Sequence, residues 1–128
     1  MRLRIKLTVT MLIGVALGSA AMSILHAQGA KRPGFVIGEI EVTDPAAYRE
    51  FAAKVPATLK PYNAHFIVLG STPDVREGAP SAGRLSIIAF NSVEDAQRWY
   101  TTPPYSELIS MRQQASSARI LIVEGVPQ

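Results

Sequence analysis

The sequence contains no cysteine. This absence excludes disulfide bonds, thiolate metal sites, cysteine nucleophiles and a lipoprotein attachment site together. The fold must therefore be stabilised by packing. A domain of about 100 residues has a thin core, which gains from the burial of further surface in a dimer.

Histidine is almost as scarce, with only His26 and His65 in the 128 residues. One histidine outside the N-terminal segment, with scattered carboxylates, is too small a ligand set for a metal, so we expect no metal site. A Ser-His-Asp set, a phosphate loop and a nucleotide fingerprint are also missing. The sequence therefore predicts no cofactor.

The net charge of +3 does not indicate a nucleic-acid partner. Three of the 13 basic residues, Arg2, Arg4 and Lys6, lie at the N-terminus, and the remaining ten match the ten acidic residues. A nearly neutral domain lacks the basic surface that attracts phosphates, so we expect no nucleic-acid binding.

The N-terminus has the pattern of a cleavable signal peptide over residues 1–29. Basic residues precede an apolar run over residues 7–25, and small residues follow, with cleavage expected after Ala27 or Gly29. The alternative is an uncleaved anchor, since the run approaches the roughly 18–20 residues that span a bilayer, although Gly, Ala, Ser and Thr make it weakly apolar. We expect export to the periplasm or beyond the cell, without membrane association after cleavage, and a single domain over residues 30–128.

The mature domain has one helix between its first two strands. Residues 35–42 and 64–69 are apolar and predict strands. Between them, Asp44 and Pro45 predict a helix start, and an apolar stripe at spacings of three and four continues to about residue 61. Pro56 lies inside this helix, so we expect a kink or a break near Val55.

The second half predicts two more strands and further helix. A loop rich in Gly, Pro and Ser over residues 70–83 precedes a strand at residues 84–90. Ser92 and Asp95 resemble a capping box for a helix that ends at Pro103 and Pro104. A further helical segment over about residues 104–114 and a strand at 118–124 complete the order βαββαβ. This is the ferredoxin-like pattern, an α+β fold with four antiparallel strands and the helices on one face.

In an antiparallel sheet with one face in water, apolar and polar residues alternate along each strand. The predicted strands are instead apolar on both faces. On the first strand, Phe35 and Ile37 lie on one face, and Val36 and Ile40 lie on the other. The strands at 84–90 and 118–124 also have apolar residues on both faces. Each large aliphatic side chain that becomes fully buried contributes roughly 1.5–3 kcal/mol. We therefore expect a second copy of the chain to cover the helix-free face and form a homodimer.

Three segments in order resemble the family called domain of unknown function 1330. They are G-E-I-E-V-T-D-P-A-A-Y-R-E-F at residues 38–51, continuing to Leu59, the R-x-x-I-I-x-F-x-S-V-E-D-A-x-x-W-Y segment at 84–100, and R-x-x-A-x-x-R-I-x-x-V-E-G at 112–125. The resemblance covers residues 34–125 and implies a protomer of the dimeric α/β-barrel superfamily. The chain departs from it at Asn63 and Ala64, where many relatives have Gly-Gly, and at Pro104, where a P-E-Y segment has glutamate.

Two residues are candidates for a catalytic base. Histidine is the usual residue type for a general acid or base at neutral pH, and His65 faces either a cavity between sheets or solvent. Glu39 shares a strand face with Glu41 among apolar neighbours, where burial would raise the pKa of a carboxylate. The alternatives are a polar residue near a strand start for His65 and an ion pair with Arg84 or Arg119 for Glu39.

Four residues are candidates for ligand binding: Trp99, Tyr105, Arg112 and Tyr48. The aromatic residues are of the kind that lines a pocket for an apolar or aromatic molecule, and core packing is the alternative. Arg112 has forked donors for an anionic ligand, or it pairs with Glu107. The loop over residues 70–83 is a candidate cover for the entrance.

These features favour a small exported dimer that binds a small organic molecule in a partly apolar cavity. Two alternatives stay open. One is a non-enzymatic module for assembly with another exported protein. The other, which rests on the resemblance to the dimeric barrels, is a cofactor-independent oxygenase or isomerase with His65 or Glu39 as its base.

Overall fold

The computed structural model describes residues 31–128, and the predicted signal peptide lies outside the described residues. Four strands and three helices follow one another: β1 (Gly34–Val42), α1 (Pro45–Leu59), a 3-10 turn (Lys60–Tyr62), β2 (His65–Ser71), β3 (Arg84–Phe90), α2 (Val93–Thr101), α3 (Tyr105–Ala115) and β4 (Ser116–Glu124). None of the helices between residues 31 and 128 has the length and apolar character needed to cross a membrane.

The strands form one antiparallel sheet in the order β2-β3-β1-β4. β1 pairs with β3 along one side and with β4 along the other, so the N-terminal strand lies inside the sheet and β2 and β4 are its edges. The sheet and the helices on one of its faces confirm the predicted α+β, ferredoxin-like fold.

Side-chain caps fix where α1 and α2 begin. The Asp44 carboxylate accepts a hydrogen bond from the Ala47 amide at 3.2 Å, and the Ser92 hydroxyl oxygen accepts one from the Asp95 amide at 3.1 Å. Each bond satisfies one of the free amides of a first helical turn. Both predicted helix starts are confirmed.

The predicted break near Val55 is wrong, because α1 continues through Pro56 to Leu59. Pro56 lies in the last turn of the helix and is exposed. The carbonyl that loses its partner is therefore open to water, and the remaining packing of α1 holds the helix together.

The helices cover one face of the sheet and enclose an aromatic core. Trp99 is 2% exposed and stacks on Tyr105, with the ring centroids 3.7 Å apart. Phe90 and Phe51 contact this pair from the sheet and from α1. The centre of the domain is thus built from large rings rather than from aliphatic side chains alone.

The opposite face of the sheet carries no helix, and its centre is apolar, as the two-sided strand pattern predicts. Its central row consists of half-buried residues on three adjacent strands: Phe35, Ile37, Leu85, Ile87 and Leu121. This set of five is called the helix-free face below.

Candidate functional site

A cavity of about 260 Å³ lies between the sheet and the helices, within a single chain. Gly38 lies at its floor on β1, and α1 and the aromatic core form its walls. The lining is mostly apolar and includes Val36, Ile40, Phe51, Val55, Phe66, Leu69, Ile88, Trp99 and Ile120. Cavities that hold small ligands usually measure about 300–1,000 Å³. This cavity is slightly smaller than that range, so it suits only a small molecule.

The charged group of the cavity is Arg112, which is 5% exposed. Its Nη2 donates a hydrogen bond to the Tyr100 hydroxyl at 3.3 Å, and its Nε has no hydrogen-bond partner among the described residues. No carboxylate of residues 31–128 forms a salt bridge with it, and the alternative pairing with Glu107 does not occur. A buried cation without an anionic partner is costly, because both its charge and its donors have left water.

The backbone around Arg112 is fixed by contacts with two other elements. The Ser116 hydroxyl donates to the Arg112 carbonyl at 2.6 Å. The amides of Thr43 and Asp44 both donate to the Ala115 carbonyl, at 2.9 and 3.0 Å. These bonds join the end of α3 to the start of α1, and so the guanidinium is held against the cavity.

Two tyrosine hydroxyls share this end of the cavity with Arg112. Burial raises the pKa of Tyr48 and of Tyr105 above the ordinary value, and the positive charge of Arg112 lowers each only in part. Both phenols therefore keep their protons at neutral pH and can donate hydrogen bonds.

The polar groups of the cavity thus consist mainly of donors. Its lining residues include an arginine, two tyrosines and Ser86, and no aspartate, glutamate or histidine. A guanidinium with phenol hydroxyls beside it suits a carboxylate or another oxyanion, since the planar fork donates two parallel hydrogen bonds to it.

The structure brings the four predicted ligand-binding residues together. Tyr48 comes from α1, Trp99 from α2, and Tyr105 and Arg112 from α3, and all four line the cavity. The structure thus establishes that the four residues share one location, whereas their role in binding stays a prediction.

His65 and Glu39, the two candidate bases, do not line this cavity. His65 is exposed and pairs with Ala89, whereas Glu39 pairs with Leu85 and Arg119. These positions have the parity of the helix-free face. Any proton transfer by His65 or Glu39 would therefore belong to the other side of the sheet, and the cavity itself lies between sheet and helices rather than between two sheets.

Ser86 is a cavity residue that the sequence analysis missed. Its hydroxyl oxygen accepts a hydrogen bond from the Gly70 amide at 2.9 Å. The signal was Ser86 itself, the polar residue within the apolar segment LSIIAF at residues 85–90, at the same parity as the buried Ile88 and Phe90. A polar side chain on the core face of a strand needs a partner, and here the partner is a backbone group of β2.

Metal binding has no support from the described geometry. Between residues 31 and 128, no group of three His, Asp or Glu side chains is close enough together to hold a metal ion.

Comparison with protein families gives one match that covers nearly all of the described chain. The family model described as "Domain of unknown function (DUF1330)" matches residues 33–126. This confirms the resemblance inferred from the three sequence segments. A sequence search of curated proteins gives no match.

Solved structures share the fold at low sequence identity. RPA0582, a protein of unknown function from Rhodopseudomonas palustris, has a TM-score of 0.56 at 15% identity, covering 81% of this chain and 90% of that one. Its methylated form gives 0.59 at 14%, covering 84% and 90%. SnoaB, a cofactor-independent oxygenase from Streptomyces nogalater, gives 0.49 at 15%, covering 73% and 92%. At these identities the likeness to the two RPA0582 structures establishes the fold alone.

Proposed function

The chain belongs to the DUF1330 family, whose name assigns no activity, and from the cavity we propose that it binds a small organic anion. The ligand has an apolar or aromatic body and a carboxylate or similar oxyanion. The body lies among the rings of the cavity, and the anionic group accepts hydrogen bonds from Arg112.

The observation that carries this proposal is the guanidinium of Arg112, which is buried at the cavity and forms no salt bridge with any residue between 31 and 128. A buried charge without a partner typically costs several kcal/mol even after the surroundings relax. A ligand carboxylate in the cavity supplies the missing negative charge. The protonated hydroxyls of Tyr48 and Tyr105 add further donors.

The shape and chemistry of the lining support binding rather than proton transfer. The lining residues have neither a histidine nor a carboxylate that could take a proton from a bound molecule. An oxygenase or isomerase with His65 or Glu39 as its base would need a second site on the helix-free face. The cavity therefore favours a binding protein over the enzymatic alternative.

We further propose that the protein is an exported homodimer. The helix-free face supports the dimer, because its five half-buried apolar residues would be covered by the same face of a second copy. The basic start and apolar run of residues 1–25 support export. Purification from the periplasm, followed by intact-mass measurement, tests export and cleavage together. A full-length mass in the membrane fraction would instead support the uncleaved anchor, and recovery of the protein from the cytoplasm alone would contradict export.

Calorimetric titration of the purified protein with 3-phenylpropanoate and octanoate tests the binding function. The neutral 3-phenylpropanamide is the matched ligand control, and we expect it to bind at least about tenfold more weakly. A hydrogen bond to a charged group is worth about 1.5–3 kcal/mol, and 1.4 kcal/mol corresponds to a factor of ten in Kd.

The matched protein variants are Arg112→Met and Arg119→Met. Arg112→Met removes the buried charge and keeps an apolar side chain of similar length, so we expect a folded protein that loses anion binding by about tenfold to a hundredfold. Arg119 is exposed on β4, and its variant should bind as the wild type does. Equal binding of acid and amide, or no effect of Arg112→Met, would instead favour the assembly module.

A further inference from the structure

A second space, the vestibule, opens beside the inner cavity at the end of the sheet where α1 begins. It has a volume of about 660 Å³ and is open to solvent. We define it by the residues that line it alone, chiefly Glu41, Pro45, Arg49, Thr72, Ser81 and Arg84. Thr72 and Ser81 come from the long loop between β2 and β3, so this loop forms part of the wall of the vestibule.

The vestibule and the inner cavity adjoin each other at a boundary that we call the neck. Four residues line both spaces: Ile40, Tyr48, Gly70 and Ser86. Gly70 has a φ of +62° and no side chain, and its amide is bonded to the Ser86 hydroxyl oxygen. The neck is therefore formed by the side chains of Ile40, Tyr48 and Ser86 and by the backbone of Gly70, and a ligand that occupies both spaces would pass between them.

The vestibule carries a positive charge that the described chain does not neutralise. Arg84 is on β3 with the same parity as Ser86, and Arg49 follows Tyr48 on α1. Both are exposed, and neither forms a salt bridge with any residue in the range 31–128. Glu41 is the acidic residue of the lining, so two arginines face one carboxylate.

We propose that the ligand carries a second anionic group, which Arg84 and Arg49 bind in the vestibule. The ligand class is then a molecule with two acidic groups joined by an apolar segment: one group is at Arg112, the segment passes through the neck, and the other is between Arg84 and Arg49. This inference rests on the proposed function and specifies its substrate class. Because Arg84 and Arg49 are exposed, their contribution is smaller than that of Arg112 and is screened by salt.

Titration with two series of probes tests the second anionic group. The first consists of straight-chain monocarboxylates from hexanoate to dodecanoate, and the second of the dicarboxylates with the same numbers of carbons. We expect one length or a narrow range of lengths at which the dicarboxylate binds about three- to tenfold more tightly than its monocarboxylate, since shorter chains do not span the neck. Equal or weaker binding of every dicarboxylate would overturn the proposal.

Arginine variants assign the gain to the vestibule. In Arg84→Gln and in Arg49→Gln, the advantage of the dicarboxylate, which is the ratio of the two Kd values, should fall. In the double variant this advantage should disappear, whereas the Kd of the monocarboxylate should change less than twofold. Arg98→Gln on α2 removes the same charge from an exposed site outside both spaces and should keep the full advantage. Glu41→Gln should increase the advantage, because it removes a like charge from beside the second anionic group. An advantage that persists in the double variant would overturn the proposal.

The same titrations separate this inference from the function on which it rests. If monocarboxylates bind in an Arg112-dependent manner but dicarboxylates gain nothing, the vestibule proposal fails and the binding function stands. If no member of either series binds to the wild-type protein, or if binding is the same in Arg112→Met, both proposals fail together.

Discussion

At the scale of single residues, Thr58 determines how the only tryptophan of the chain is held. The Trp99 indole Nε1 donates a hydrogen bond to the Thr58 Oγ1 at 2.9 Å, and this hydroxyl donates in turn to the Val55 carbonyl at 2.7 Å. Thr58 is 3% exposed and Trp99 is 2% exposed. The hydroxyl therefore satisfies a buried donor that water cannot reach, and it positions a wall of the inner cavity.

Thr58→Val should lower the free energy of unfolding by about 1–3 kcal/mol. Valine fills the same space but leaves the indole N–H without an acceptor, which carries the desolvation cost of a buried donor. Urea unfolding followed by tryptophan fluorescence measures the change at Trp99 directly, since the sequence has one tryptophan.

Thr58→Ser is the matched control for that variant. It keeps the hydroxyl and loses one methyl group. Its free energy of unfolding should therefore fall by only about 0.8 kcal/mol, which is the typical contribution of one buried CH₂ group. If Thr58→Val were as stable as the wild type, the indole would have to find another acceptor.

At the scale of elements, α2 and α3 bring the cavity residues into place although each is short. α2 has nine residues and carries Trp99, and α3 has 11 and carries Tyr105 and Arg112. Helices this short are marginal in isolation, so their ends depend on caps and on packing against the rest of the fold. The Ser92 hydroxyl oxygen caps α2, and Gly34 of β1 passes so close to the Ser92 carbonyl that a Cβ at this position would collide with it.

Ser92→Ala should destabilise the domain by about 1 kcal/mol, because the Asp95 amide then loses its acceptor. Ser92→Thr keeps the acceptor and serves as the control, with an expected loss of less than half of that value. Urea unfolding at neutral pH measures both. Equal stability of the alanine and threonine variants would show that the cap does not determine the start of α2.

The positions of the strands and helices are the part of the structure that the sequence predicted best. The four strands, the Asp44 and Ser92 helix starts and the end of α2 before Pro103 follow from local periodicity and capping chemistry, and the structure confirms them. The break at Pro56 was wrong, because the local penalty of a proline is outweighed by the packing of Phe51, Val55 and Leu59 on either side of it.

At the scale of the whole molecule, the helix-free face is an apolar surface that a single chain leaves only half-buried. Ile37 lies at its centre, paired with Ile87 on one side and Leu121 on the other. Each is half-buried in the monomer. A second copy that covers this face would remove the rest of their surface from water, with roughly 1.5–3 kcal/mol for each large aliphatic that becomes fully buried.

Ile37→Lys should convert the proposed dimer into a monomer, with Kd raised at least about a hundredfold, because an unpaired charge would be buried at the centre of the interface. Analytical ultracentrifugation over a range of concentrations measures the mass of each species. Ile37→Val keeps an apolar side chain and should remain a dimer. A wild-type protein that sediments as a monomer at all concentrations, or a lysine variant that still dimerises, would contradict the interface.

The sequence by itself determined the strands, the helices, their caps and the two-sided apolar pattern, because these depend on neighbours a few residues apart along the chain. It also provided the aromatic and arginine residues of the site as separate candidates. Only the tertiary structure decided that Tyr48, Trp99, Tyr105 and Arg112 meet in one cavity while His65 and Glu39 lie on the other face of the sheet. Strand parity and the packing of three helices from distant parts of the chain fix these positions. No local pattern encodes that, between residues 31 and 128, Arg112 has no carboxylate as an ion-pair partner.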